Sequence, residues 1–129
     1  MKKTVLIAFI LVFGFTLSQA QSKGQTSMPK ESTTIIKLDK LCCNSSIPLI
    51  EKILAYERGV KEFEVFLEDK TVKVLYITKR TNPDKIAKAL ANEGFEANGI
   101  EANQKAIMKL PDCCKNTALG LSSGCTHTH

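Results

Sequence analysis

The sequence predicts a domain of the α+β class with the element order β-α-β-β-α-β, folded as a four-stranded antiparallel sheet with two helices on one face. Three observations predict it. Stretches of alternating apolar and polar residues, typical of half-buried strands, flank two stretches with helical periodicity. Each helical stretch begins with a capping residue and a proline in its first turn. A short charged turn separates the two central strands, which indicates a hairpin.

The first half of the domain contains strand one and helix one. Residues 32–39 alternate and are rich in β-branched side chains, which favours a strand. Ser45 or Ser46 is a good N-cap for the first helix, and Pro48 fits its first turn, where a missing N–H is tolerated. The amphipathic stripe of this helix ends before Gly59, a typical helix stop.

The second half adds the hairpin, helix two and a last strand. Residues 61–68 and 72–76 alternate on either side of a tight turn and predict the two hairpin strands. Asn82 caps the second helix, with a proline at the first helical position. Residues 95–102, interrupted by Gly99, predict a weaker fourth strand.

The uncovered face of the predicted sheet is more apolar than an exposed face should be. The segment 103–110 carries apolar residues at helical spacing. We therefore expect this segment to form a short helix that packs on the open face or on the sheet edge. The residues that should point to that face are Ile35, Phe66, Leu75 and Ile77.

The first twenty residues have the pattern of an export signal. A charged start, an apolar run and small residues before Gln21 predict cleavage after Ala20. The run is too short for a membrane span and no cysteine follows the cut, so we expect an exported, periplasmic or secreted protein without a membrane anchor. The 129-residue chain then divides into a signal peptide at 1–20, a flexible leader at 21–31, the domain at 32–102, a short helix with a Cys-Cys segment at 103–115, and a disordered tail at 116–129.

Charge and motifs argue against two function classes. The net charge is +5 at pH 7, and Lys2 and Lys3 of the signal contribute two of these charges. No basic cluster with interleaved aromatic residues suggests nucleic-acid binding. No Cys-x-x-Cys occurs and no histidine or carboxylate is placed to activate a nucleophile, so we do not expect an enzyme, and a thiol–disulfide enzyme ranks last.

Five cysteines in an exported chain are the main functional signal. Cys42 and Cys43 lie between strand one and helix one, where unpaired N–H groups and the helix dipole stabilise a thiolate. Thiolates select soft or borderline ions, so we expect Cu(I) first, with Zn(II), Hg(II) or Cd(II) as alternatives. Adjacent cysteines point in different directions, and a second segment should therefore complete the site.

The second doublet, Cys113 and Cys114, is the candidate for that segment. Strand four should end at the pole opposite the loop, because it runs antiparallel to strand one. A helical return over eight residues rises about 12 Å, and extended residues on either side could add the rest. The metal-site hypothesis places Cys42, Cys43, Cys113 and Cys114 around one ion, the ligand count of a closed tetrahedral thiolate site.

Other interpretations of the cysteines stay open on the sequence alone. The doublets could form one or two disulfides that pin the tail to a structural or protein-interaction domain. The two states could also alternate, as a metal-loaded reduced form and a disulfide-linked empty form. Cys125, His127 and His129 stand at alternate positions of the tail, a tract that suits an accessory Zn or Cu site.

The loop and its surroundings resemble the heavy-metal-associated domain family, the ferredoxin-like domains of copper chaperones and metal-pump N-terminal modules. The family's metal motif is Met-x-Cys-x-x-Cys. Alignment through helix one puts Leu41 at the methionine, Cys43 at the first cysteine and Ser46 at the second. The resemblance covers about residues 33–102 and also rests on three dipeptides, namely Ile50-Glu51, Gly59-Val60 and Gly94-Phe95.

This resemblance implies a ferredoxin-like fold and the binding of a soft metal ion by a carrier, scavenger or sensor. It also implies transfer of the ion to a metal-transporting membrane protein or another metal carrier. The sequence departs from the motif because Ser46 replaces the second cysteine and Cys42 is additional. Phe95 resembles the bulky residue that the family places beside the metal loop, and it equally fits a core residue after a capping glycine.

Overall fold

A computed structural model of the protein describes residues 30–41 and 43–121. The described residues form a three-stranded antiparallel sheet with the strand order β1-β3-β2, and two long helices pack against it. This confirms the α+β class, whereas the predicted fourth strand is not formed there. The elements in chain order are β1 (Glu31–Lys37), a 3-10 turn (Asn44–Ser46), α1 (Ile47–Tyr56), β2 (Val60–Phe66), β3 (Thr71–Ile77), α2 (Pro83–Asn92), α3 (Gln104–Ile107) and α4 (Asp112–Ala118).

Several sequence predictions lie outside the described residues. They are the signal peptide at 1–20, the leader as far as residue 29, Cys42, and the tail from residue 122, which includes Cys125, His127 and His129. Among the residues that are described, no helix has the length and apolar character needed to cross a membrane. Helix α4 extends to Ala118, three residues into the segment predicted as a disordered tail.

One apolar core joins the sheet to α1 and α2. Register places Ile36 opposite Val72, and Val72 opposite Val65 on the other side, so alternate residues of all three strands face the helices. The helices contribute their apolar stripes, with Ile50 and Leu54 from α1 completely buried. The fully or almost fully buried members of this core are Ile36, Leu38, Leu41, Ile50, Leu54, Val72, Val74, Ile86, Ala87, Leu90 and Ala97.

The two long helices begin differently. The Asn82 side chain accepts a hydrogen bond from the Lys85 N–H at 2.9 Å, which confirms the predicted cap of α2. At the start of α1, Ser46 occupies the cap position but its hydroxyl donates to the Cys43 carbonyl instead. Ser46 is therefore buried and ties the cysteine loop to the helix.

The predicted fourth strand is wrong because the chain makes a tight turn at Asn98-Gly99. Both residues have positive φ, 49° and 77°, as a type I′ turn requires. The Ile100 N–H donates to the Ala97 carbonyl at 2.8 Å, which closes the turn. Instead of a strand, Asn98 alone pairs with the outer edge of β1: its N–H donates to the Lys37 carbonyl at 2.9 Å, and its side chain accepts from the Lys37 N–H at 2.8 Å.

Because of this turn, the residues that follow it stay at the end of the sheet where β1 ends. The predicted run of residues 95–102 to the opposite pole is therefore also wrong. Helix α3 lies against the end of α2, where the Asn103 N–H donates to the Ala91 carbonyl at 2.8 Å. Gly94 permits this close approach, because a Cβ there would meet the Ile107 nitrogen and the Leu110 side chain at 3.1 Å.

The segment 103–110 consequently packs on the helix side and leaves the outer sheet face uncovered by it, contrary to the sequence prediction. Ile35 is 63% exposed and Phe66 is 37% exposed on that face. Ile77, at the end of β3 and opposite Glu31 of β1, is nevertheless buried. Two apolar residues of the segment instead serve the core, since Ile107 is buried and Leu110 packs against the main cluster, whereas Met108 is 62% exposed.

The turn at Asn98 generates a stability prediction. Asn98→Ala removes the hydrogen bond to the Lys37 N–H and puts a residue that disfavours positive φ at the first turn position. We expect the free energy of unfolding to fall by about 1–2 kcal/mol, measured by urea denaturation. Asn92→Ala, at the exposed end of α2, is the matched control and should change stability by less than about 0.5 kcal/mol. Equal losses in both variants would contradict this role of the turn.

Candidate thiol site

The loop after β1 is held by the core on both sides of its cysteines. The Leu38 N–H donates to the Lys70 carbonyl at 2.8 Å, and the Leu41 N–H donates to the Leu38 carbonyl at 3.0 Å. Leu41 is 2% exposed, so the residue that the sequence alignment puts at the motif methionine is a core anchor. The 3-10 turn then leads into α1 and leaves Cys43 facing inward, with 6% of its surface exposed.

Cys43 forms a disulfide with Cys113 of α4, seventy residues later in the chain. Their Cα atoms lie 6.4 Å apart, within the usual range for a disulfide. The bond brings one member of each cysteine doublet together. The route differs from the predicted one, since the second doublet arrives from α3 at the same end of the sheet and needs no return from the opposite pole.

Cys114 is the free thiol among the cysteines that the structure describes. It is 6% exposed, and its Sγ lies 3.8 Å from the Ser45 hydroxyl, a long hydrogen bond to sulfur. In the sequence, Ser45 is marked only as a possible helix cap, and nothing in the pattern indicates that it lies beside this thiol. The contact joins the 3-10 turn to α4 directly beside the disulfide.

Cys43 and Cys114 line the same small cavity, of about 10 Å³. A space of this size is near the lower limit for one water molecule, so it admits an atom-sized ligand and excludes an organic substrate. Phe95 closes one side and is 8% exposed, which fits both the core role and the position beside the loop. Lys40 and Glu96 also line the cavity and pair at 2.8 Å, so their charges largely cancel beside the sulfur atoms.

The sulfur atoms do not stand ready for an ion in this oxidised arrangement. Within residues 30–41 and 43–121, no three histidine, cysteine or acidic side chains are grouped as metal ligands. Two of the three described sulfurs share a bond, and a disulfide sulfur lacks the negative charge of a thiolate ligand. Of the other predicted ligands, Cys42, Cys125, His127 and His129 lie outside the described residues.

At the start of α4, Lys115 donates a hydrogen bond to Asp112 at 2.8 Å. This hydrogen bond, and then the lysine charge, lower the pKa of Asp112 below its usual value. The Asp112 side chain is 89% exposed, so the pair is a surface pair. Pairs of this kind contribute little to stability, and this one does little to hold α4 in place.

The sequence relatives of the chain are heavy-metal-transporting ATPases. Over 69 residues the chain is 43% identical to the putative cadmium/zinc-transporting ATPase HMA4 of Arabidopsis thaliana, a match that covers 54% of this chain and 6% of the ATPase. It is 33% identical over 69 residues to copper-transporting ATPase 2 of Homo sapiens, covering 54% of this chain and 5% of that protein. The chain thus spans only a small part of the curated relatives it matches. No protein-family model matches the chain.

Among solved structures, oxidized MerP from Ralstonia metallidurans CH34 shares the fold, with a TM-score of 0.51 and 20% sequence identity. The match covers 54% of this chain and 96% of MerP. The fold and the sequence relatives together define the class of this domain. The resemblance to the heavy-metal-associated domains is confirmed, and the fold is of the MerP type with three strands in the described residues.

The burial of Cys114 generates a reactivity prediction. In the folded oxidised protein, alkylation of Cys114 by iodoacetamide should be at least about tenfold slower than in the unfolded protein, because the thiol must first open to solvent at a cost of 1.4 kcal/mol or more. Mass spectrometry of the peptide that contains Cys114 measures the rate. Labelling in the folded protein as fast as in urea would show that the thiol is accessible, contrary to the described packing.

Proposed function

We propose that this chain is an exported protein that binds one soft metal ion through the thiolates of its two cysteine doublets. One observation carries the proposal: the disulfide joins Cys43 to Cys113 while Cys114 lines the same cavity as Cys43. Three sulfur atoms from two distant segments therefore meet at one point of the fold. Export is proposed from the signal pattern of residues 1–20.

The reduced chain would present thiols at positions where coordination is feasible. Two or three thiolates suit Cu(I) or Hg(II), whereas a closed Zn(II) site of the thiolate type requires four ligands. Cys42, next to Cys43, is the proposed fourth. Glu96 is the one carboxylate among the described residues that line the cavity, and it is paired with Lys40. We favour Cu(I), with Zn(II) and Hg(II) as the alternatives.

The relatives support a role in metal handling without deciding between these ions. Those named above are described as transporting cadmium and zinc, or copper. By analogy we propose that this chain is a non-enzymatic carrier, scavenger or sensor, and that its partner is a metal-transporting membrane protein or another metal carrier. Transfer would proceed by exchange of one thiolate for another on the ion. Cys125, His127 and His129 are proposed as accessory ligands only.

A second candidate function follows from the disulfide itself. If Cys43–Cys113 is permanent, the domain is a structural or protein-interaction module, and the bond pins its C-terminal helices. Closing a loop of seventy residues would stabilise the fold by about 4 kcal/mol in the chain-entropy estimate. This candidate predicts that the protein keeps its disulfide in its native compartment and binds no ion there.

A metal titration separates the two candidates. We expect the reduced protein to bind one Cu(I) per chain in competition with a chromogenic chelator, and to release protons as the thiols become thiolates. Cys43→Ser should weaken binding at least about tenfold, equivalent to 1.4 kcal/mol, since the central ligand is lost. The double variant Cys113→Ser, Cys114→Ser should show a loss at least as large.

Two controls accompany this titration. Lys88→Ser, on the exposed face of α2, should bind Cu(I) as the unaltered chain does. The oxidised protein should bind more weakly than the reduced protein, because two of the proposed ligands are consumed by the disulfide. Absence of Cu(I), Zn(II) and Hg(II) binding in the reduced protein would refute the metal-binding function and favour the structural candidate.

A further inference from the structure

Helix α4 is only partly buried in the part of the fold that the structure describes. Among its seven residues, all of which the structure describes, only Cys114 is buried. Among the described elements, the helix makes its most extensive contacts with the 3-10 turn and α3. Its Asp112–Lys115 pair is on the surface. Among the contacts of the described residues, the Cys43–Cys113 bond and the burial of Cys114 are therefore its principal anchors.

A helix this short does not persist without tertiary support. Isolated helices below about 12 residues are marginal in water, because the cost of nucleation is spread over too few hydrogen bonds. A single buried cysteine is a small anchor for such an element. The covalent bond to Cys43 is then the constraint that decides whether α4 stays docked.

We propose that α4 is a redox-controlled lid over the thiol site, closed by the Cys43–Cys113 disulfide and released when that bond is reduced. The use of the lid rests on the proposed metal-binding function, while its opening does not. In the closed state, the lid contributes Cys114 and Ala118 to the wall of the cavity and Cys43 is almost inaccessible.

The opening step is a two-electron reduction. A dithiol reductant attacks one sulfur of the Cys43–Cys113 bond and forms a mixed disulfide while the other sulfur leaves as a thiolate. The second thiol of the reductant then displaces the protein sulfur. The reductant ends as a disulfide, and Cys43 and Cys113 each end as a thiol after two protons are redistributed.

Sulfur spacing shows what metal entry demands of the oxidised site. Bonded sulfurs lie about 2.0 Å apart. Two sulfurs that each lie about 2.3 Å from one tetrahedral ion are about 3.8 Å apart. Metal entry therefore requires the sulfurs of Cys43 and Cys113 to separate by nearly 2 Å, which rotation of the two side chains or movement of α4 can supply. Opening of the lid also admits the ion to the buried Cys43 sulfur, and α4 carries Cys113 and Cys114 as ligands.

Hydrogen exchange on the full chain, without metal, tests the lid directly. The reporting amides are those of Lys115, Leu119 and Leu121, which donate to carbonyls within or next to α4 at 2.9–3.0 Å. On reduction with a phosphine, we expect their exchange to accelerate at least about tenfold, a loss of 1.4 kcal/mol of protection. Amides of α1 and α2 should keep their protection.

Two variants make the test specific. Cys113→Ser, kept in phosphine so that Cys114 cannot replace it in the bond, should exchange like the reduced protein. Cys114→Ser, which retains the disulfide, is the matched control and should keep α4 clearly more protected when oxidised than when reduced. The proposal is overturned if α4 stays protected after reduction. It is equally overturned if α1 and α2 lose protection with α4, since the bond would then support the whole domain.

These outcomes are independent of the metal titration. If reduction releases α4 but the reduced chain binds no ion, the proposed function is refuted and the redox-controlled opening is retained. If the reduced chain binds an ion in the titration, but its α4 amides stay protected when no metal is present, the lid is refuted and the proposed function is retained.

Discussion

The pairing of Asn98 with Lys37 is the constraint on which the arrangement of the thiol site depends. It replaces a fourth strand by a turn, so the chain does not travel along β1 to the far end of the sheet. Helices α3 and α4 are consequently assembled at the end where the cysteine loop lies. Without this turn, the second cysteine doublet would begin its approach from the opposite pole, and its contact with Cys43 would need a long return.

Burial at this end of the fold has two opposing effects. Leu41, Ser46 and Phe95 hold the loop of Cys43 in a well-packed environment, which positions its sulfur accurately. The same packing, completed by α4, excludes solvent and any incoming ion from that sulfur. An element with strong packing of its own would make the site permanently closed. Release of α4, as proposed above, would make a buried thiol compatible with the proposed binding function.

Sequence periodicity predicted β1, α1, the hairpin and α2 because each has an amphipathic pattern that agrees with its place in the core. The weaker fourth strand predicted over residues 95–102 is not formed, because the Asn98-Gly99 dipeptide within it is itself a strong hairpin-turn signal. The predicted place of the segment 103–110, on the open face or edge of the sheet, is also wrong, because the turn keeps this segment on the helix side. The pairing of Cys43 with Cys113 was not deducible, since two adjacent doublets allow several pairings and the choice depends on the route of the chain.

The serine at position 46 changes how such a site can work. In the motif that this loop resembles, two cysteines three residues apart supply both ligands from one loop, so a partner can approach them without disturbing the fold. Here the Ser46 hydroxyl is engaged with the Cys43 carbonyl, and the additional sulfurs come from α4. In the proposed function, an ion held by both segments would tie α4 to the loop, and release of the ion would free α4. Ion binding and docking of α4 would then be coupled, so that each favours the other. A site whose ligands all come from one loop lacks this coupling.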